Sequence, residues 1–408
     1  MNMMRNTIIF LLFSVLYTVK ASSLCDRNER VFNGTCIACA AGTTNGAGDN
    51  SSSVDTTCVA ECVFTDSDDL QNEAQDYANG GSSFCNGVDI SEWDVSRVTD
   101  MSNVFEDSDF NGDISNWDTS SATTMERMFY EAKSFNGDLG NWDTSSCTSF
   151  SYMFYNTHAF KGDLTNWDLS GVSSLAYMFY HAAAFNGDVS NWDVSHITRM
   201  DGTFEGAYHF NGDLSQWNTS QVTTMREMFK FATNFNGDIT SWNVNKVTTM
   251  QDMFYHNPIF NGAIGQWNVS SVNNMDAMFF NAKRFNADVS GWDVSSVTKT
   301  YEMFAGARQF NCDLNDWDVS SVGRMENMFA GATAFNSDLG KWDVSGVSRM
   351  GYMFAGTTFN NNISEWDTSS VTEMDYTFAF NENFNSDISK WDTSRVCGAR
   401  ALYFSPWQ

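Results

Sequence analysis

The chain has 408 residues, 22 basic against 50 acidic, for a net charge of −28 at pH 7. That balance argues against nucleic acid and anionic membrane surfaces as partners, because both reward clustered Lys and Arg; cationic partners and divalent metal ions stay compatible. With 34 Phe, 21 Met and 14 Trp, it carries far more core-forming residues than a disordered acidic protein.

Met1 to Lys20 has one early charge at Arg5 and an apolar run from Ile8 to Val19, and Val19-Lys20-Ala21 fits a small-residue cleavage site. Residues 1–21 therefore read as a secretory signal peptide. An apolar run of about a dozen residues is short for a ~30 Å hydrocarbon core, which disfavours a membrane anchor. The expected mature protein is soluble and extracellular, either secreted or associated with a cell surface.

Six of the nine cysteines come next: Cys25, Cys36, Cys39, Cys58, Cys62 and Cys85. In an oxidising compartment such a cluster reads as a disulfide framework for segments too small to hold a core. The preferred pairing is Cys25 with Cys36, Cys39 with Cys58 and Cys62 with Cys85, although fifteen connectivities are open and Cys36-x-x-Cys39 has a zinc alternative. Residues 22–61 form the expected cysteine-rich module. Residues 62–85, with a polar helix-like stretch from Asp68 to Tyr77, form the expected cap of the array that follows.

From there the chain keeps one period. Trp117 to Trp342 spans nine consecutive intervals of 25 residues, extended by Trp93, Trp366 and Trp391. A period of that size predicts a solenoid over residues 86–404, in which each unit buries its apolar side on its neighbours. In the unit of Ile239, Trp242 and Val244 alternate around Asn243, which predicts a short strand. Met250, Met253, Phe254 and Asn257 then follow helical spacing, with Thr248 as an N-cap type and Asn257-Pro258 as a stop. Phe260-Asn261-Gly262 makes the closing turn. Phe150, Leu175 and Thr300 depart from Met in the first slot, and Val104, Thr203 and Thr377 in the second. Residues 405–408 are a short tail, and Trp407, off the period, is expected to plug the end.

These residues carry two resemblances. Ile-x-x-Trp-x-Val followed by Val-x-x-Met-x-x-Met-Phe-x-x-Ala resembles the strand and return segment of bacterial leucine-rich repeats. The array as a whole is similar to BspA-like leucine-rich-repeat surface proteins. That resemblance implies an α/β solenoid, a right-handed leucine-rich-repeat-like superhelix of about 12–13 coils, each a short strand plus a short helix. It also implies a surface or secreted location and a role in attachment. Cys25 to Cys58, with Phe32-Asn33-Gly34-Thr35-Cys36, resembles the ephrin-receptor-like cysteine-rich modules of extracellular receptors.

Between the inward Trp and Val/Thr of each strand lies a residue expected on the concave sheet face. It reads Asp94, Asp118, Asp143, Asp168, Asp193, Asn218, Asn243, Asn268, Asp293, Asp318, Asp343, Asp367 and Asp392. Like charges on adjacent strands repel, so each Asp is expected either in an Asx-type turn with the Ser two residues on, or as part of a calcium or polycation site. A second row, Asp113, Asp138, Asp163 and their equivalents, reads as turn chemistry, and Asn111, Asn136 and Asn186 as hydrogen-bonding rungs.

Sequons at Asn33, Asn50, Asn218, Asn268 and Asn362 are candidate glycosylation sites. Cys147 takes the place of a core Val and Cys312 that of a Gly, so free thiols are expected. The histidines are scattered; His158, His181 and His209, in neighbouring units, form at best a weak metal site, and no cofactor motif is present. The expected protein is a monomer without catalytic residues, an adhesion or recognition scaffold for extracellular protein or glycan. The alternative is a calcium-binding structural matrix or cell-wall protein.

Overall fold

The computed structural model describes residues 62–80, 85 and 88–396 in full, and before them the backbones of four short strands. Strand β1 (Glu29–Phe32) pairs antiparallel with β2 (Thr35–Ala38), and β3 (Thr43–Thr44) with β4 (Val59–Ala60). The expected signal peptide, Asn33, Asn50, Cys25, Cys39, Cys58, Cys397 and Trp407 lie outside the described residues, as does the side chain of Cys36.

Residues 88–396 are laid down as units in register, joined by isolated parallel bridges such as Thr124 to Ser149 and Thr224 to Thr249. The unit of Met125 shows how its backbone is satisfied. Met125, Arg127, Phe129 and Glu131 donate their N–H groups to Ser149, Ser151, Met153 and Tyr155 of the next unit, at 3.1, 3.1, 3.0 and 2.7 Å. The N–H groups between them close local turns: Met128 to Met125, Tyr130 to Arg127 and Ala132 to Phe129, at 3.2, 3.0 and 3.1 Å. Arg127 and Glu131, third in the first and last of these turns, have φ of +57° and +59°, the mark of type II turns.

The expected helix is therefore absent from this stretch, and the strand-plus-helix coil is corrected. An α-helix sends each N–H to the carbonyl four residues back and keeps φ negative throughout. Here alternate N–H groups leave for the neighbouring unit, and left-handed residues recur two and six positions after the first Met slot, as at Asn103 and Asp107 or Asp252 and His256. Successive turns bury Met125, Met128, Phe129 and Ala132, the same spacing a helix would bury. Thr248 accordingly caps nothing; its N–H and Oγ1 both donate to the Thr223 carbonyl, at 2.9 and 3.2 Å. Nor is there a strand at Trp-Asp-Val. That segment alternates buried and exposed as expected, but carries no backbone ladder from unit to unit beyond the pairing of Asp94 with Val63 at the start.

What joins the units on that side is side-chain chemistry. Each Trp from Trp117 to Trp391 donates its indole N–H to the Ile, Leu or Val carbonyl of the preceding unit, at 2.8–3.2 Å. At Thr119, Thr144, Thr219 and Thr368, where Thr replaces Val within the stack, the buried hydroxyl reaches the next unit's carbonyl, as Thr119 does to Asp143 at 2.9 Å. The core is a set of aromatic files running along the stack. Trp117 lies 6.4 Å from Trp142, Phe129 5.6 Å from Phe154 and Phe135 6.0 Å from Phe160, while Phe129 and Phe135 stack at 3.9 Å within the unit.

Helix α1 (Ser67–Ala78) covers the first unit. Asp66 caps it by accepting the Asp69 N–H at 2.9 Å, Asp68 and Asp69 favour its positive end, and Leu70, Glu73 and Ala74 face inward. Gln71 and Gln75 donate to the Asn103 and Glu106 carbonyls, at 3.4 and 2.8 Å, standing in for the unit that does not precede them. Phe64 packs 5.0 Å from Trp93 and Tyr77 meets its edge at 5.6 Å. A disulfide joins Cys62 to Cys85 across a Cα distance of 5.5 Å.

Candidate functional site

The acidic rows are built into turns. Asp94 accepts from the Ser96 N–H and hydroxyl at 3.0 and 2.6 Å, and the same Asx bond to the residue two positions on recurs at Asp118, Asp143, Asp168, Asp193, Asp293, Asp318, Asp343, Asp367 and Asp392. Asn218 and Asn268 do likewise with Ser220 and Ser270, each at 3.2 Å. These residues are exposed, and the Ser donors hold Asp143, Asp193, Asp293, Asp318, Asp343, Asp367 and Asp392 below the ordinary carboxylate range. The second row repeats the motif, with Asp113 bound to Ser115 and Asp163 to Thr165. Among the described residues, no three His, Cys, Asp or Glu side chains converge as a metal-ligand set.

Asn rungs tie unit to unit: the Asn111 amide oxygen accepts the Asn136 N–H at 2.8 Å, and Asn186, Asn211 and Asn236 continue the row. Asn362, like Asn218 and Asn268, is exposed, with its oxygen on the Ser364 N–H at 3.0 Å. His196, His209 and His256 bond to Leu169, Ala183 and Asn281 respectively rather than to one another. Cys147 and Cys312 are free thiols; burial pushes Cys147 up to about 12 and Cys312 up to about 11.

The place where unlike groups do converge is the turn face. Two columns of side chains stand on it. One follows the buried Phe and reads Tyr130, Tyr155, Tyr180, Glu205, Lys230, Tyr255, Phe280; the other, two residues past the first Met slot, reads Arg127, Tyr152, Tyr177, Gly202, Glu227, Asp252. The hydrogen-bonded turns hold both columns in register, so identical residues stack. Tyr130, Tyr155 and Tyr180 lie 4.5 and 4.2 Å apart, and Tyr152 and Tyr177 5.2 Å apart.

Both files break at the unit of Gly202. Its φ of +54° suits the left-handed turn, and a Cβ there would fall 2.4 Å from the Tyr177 ring. Tyr177 thus lies over the glycine, with its hydroxyl 3.4 Å from Glu227 Oε2, two units away. Gly206, φ +67°, makes the same room for His181. The result is an open cleft of about 340 Å³ lined by Tyr152, Tyr155, Tyr177, Tyr180, Glu205, Glu227 and Lys230.

Its electrostatics are those of carboxylates crowded out of water. Glu205 and Glu227 side chains are only 6% and 10% exposed, and Lys230 Nζ serves both, at 3.5 and 3.1 Å. Burial, against the pull of Lys230, pushes Glu205 up to about 7, and burial also raises the neighbouring Asp252. Burial opposes the charge on Lys230 as well, yet Glu205 and Glu227 hold it above the ordinary lysine range. Burial raises the Tyr177 phenol to about 12, with Glu227 adding to it. This cleft escapes a search for acidic ladders, but its signal is in the chain: Tyr130, Tyr155 and Tyr180 repeat at the period and then give way to Glu205. Further along the same face, Ala305, Gly306, Ala330 and Gly331 open a second hollow of about 310 Å³ beside Phe280, Glu302 and Arg308.

A family model described as Mycoplasma protein of unknown function, DUF285, matches four overlapping stretches, residues 75–192, 174–283, 253–358 and 337–405. No curated protein and no solved structure matches the chain.

Proposed function

This chain belongs to the DUF285 repeat family, and from that premise we propose that it is a non-enzymatic recognition scaffold, secreted or held at a cell surface, which binds extracellular protein or glycan through its repeat faces. The contrast between a uniform frame and a varied face supports this. Trp, Met and Phe files, Asx turns and Asn rungs recur from unit to unit, whereas the turn columns change from Tyr to Glu, Lys, Ala or Gly. A varied face on a regular frame is where a repeat protein carries specificity.

The Tyr152–Lys230 cleft is the observation that carries the proposal, and it moves the candidate surface away from the Asp row. Each Asp of that row already has one oxygen engaged by its own turn. Within the proposal the array is a superhelical solenoid of stacked turns, right-handed as the resemblance to BspA-like leucine-rich-repeat proteins implies, and Cys25 to Cys58 is an ephrin-receptor-like disulfide module. Further hollows such as that at Phe280 add weak sites, and linked weak sites gain strength by avidity.

Immobilised protein probed with arrays of glycans and extracellular matrix proteins tests this. Tyr177→Ala is expected to lose the partner and Asp143→Asn to keep it. A partner retained by Tyr177→Ala but lost by Asp143→Asn would return recognition to the acidic row.

A further inference from the structure

We propose that the tyrosine cleft binds a guanidinium or alkylammonium side chain presented by a basic segment of a partner protein. This rests on the recognition reading above and specifies its ligand.

Three features converge on a cation. First, the cleft is rich in acceptors and short of positive charge: two largely buried carboxylates, Glu205 and Glu227, share the single ammonium of Lys230. Arg226 lies 3.0 Å from Glu227, but Asp252, itself raised by burial, restores the excess of acid. Buried carboxylates in excess of their counter-charges favour an added cation that also donates hydrogen bonds.

Second, the rings do not form a platform for a flat neutral ligand. Tyr130, Tyr155 and Tyr180 cover one another's faces at 4.5 and 4.2 Å, and Tyr177 lies on Gly202. The file ends at Tyr180, where the next residue of the column is Glu205 rather than another ring. A cation between a ring and a carboxylate is attracted by both. Third, the fold uses the same pairing beside the cleft: Lys230 Nζ contacts both carboxylates and lies 5.6 Å from the ring centroid of Tyr255, one unit on. The net charge of −28 draws basic segments to this surface from a distance.

The proton on Glu205 is the local substitute for the missing charge. Lys230, Glu227, Asp252 and Tyr180 bear on its charge, and the titratable Tyr177 and His181 pack over Gly202 and Gly206 in the same unit. An entering cation favours the ionised form, so binding releases a proton, and affinity rises as pH passes upward through about 7.

The experiment is titration calorimetry of the purified chain with a capped tri-arginine peptide and its tri-citrulline counterpart, which keeps the shape and loses the charge. Tri-arginine is expected to bind at one site, tighter at pH 8 than at pH 6, with tri-citrulline weaker by about tenfold or more. Glu227→Gln, which preserves volume, is expected to weaken tri-arginine by about tenfold, while Asp143→Asn on the remote row shifts it by less than about twofold. Equal binding of the two peptides, no binding of either, or equal losses in both variants would overturn the proposal; the last would leave only the general field. If cellohexaose instead occupies the cleft and Tyr177→Ala abolishes it, the cation is refuted while recognition through the cleft stands. Recognition through the cleft fails separately, when Tyr177→Ala leaves every array partner bound.

Discussion

Replacing Trp217 by Phe takes one indole N–H and part of a ring out of the core, and the same change at Trp93 provides its own control. Trp217 Nε1 donates to the Val189 carbonyl at 3.0 Å, a bond that spans two units. That carbonyl keeps a longer contact of 3.3 Å from the Trp192 N–H, so its loss is partial, about 1 kcal/mol. The smaller ring adds a cavity cost of about 1–2 kcal/mol. Trp93 carries the same cavity cost, but it stands first in the file, and among the described residues its buried Nε1 has no acceptor. Removing an unsatisfied buried donor relieves about 1 kcal/mol. Trp93→Phe should therefore be milder than Trp217→Phe by about 2 kcal/mol. Stacked units need not unfold in one step, so urea midpoints should be read beside native-state hydrogen exchange of the amides in adjoining units. Equal costs at the two positions would refute the inter-unit indole bond as a source of stability.

Three further outcomes are expected. The carboxyls of Asp143, Asp193, Asp293, Asp318, Asp343, Asp367 and Asp392 are held low by Ser donors, so the stability they contribute is present above their unfolded value of about 3.9 and is lost as pH falls through the lower folded values. Melting temperatures should drop below about pH 4 even in high salt, which screens repulsion but leaves these bonds; a flat profile down to pH 2 would contradict the Asx turns. Glu205 has the opposite sign: burial raises it from 4.5 to about 7, so its contribution is fully present below 4.5 and lost as pH rises through about 7. Glu205→Gln should match the parent at pH 4 and exceed it at pH 8 by up to about 3 kcal/mol in urea unfolding, and a variant less stable at pH 8 would show that the Lys230 pairing outweighs burial. Finally, melts in chelator and in millimolar calcium should coincide, because the row carboxylates are engaged by their own turns; a large rise with calcium would make the rows ion sites after all.

The period, the files of buried Trp, Met and Phe, the Asx rows and the Asn rungs were all legible in the sequence, because each depends on spacing within a unit or on its repetition. Even the tyrosine file was there to be read, at Tyr130, Tyr155 and Tyr180. What one unit's sequence left open was how its Met-Phe stretch is wound. Burial at Met125, Met128, Phe129 and Ala132 satisfies a helix and a run of turns equally well. Only the tertiary structure chose the turns, since the N–H groups of Met125, Arg127, Phe129 and Glu131 find their acceptors in the next unit rather than in their own. The cleft has the same origin. Gly202 and Glu205 become a site only when stacking brings Tyr177 over one and Lys230 beside the other, contacts between residues 25 positions apart that no local pattern encodes.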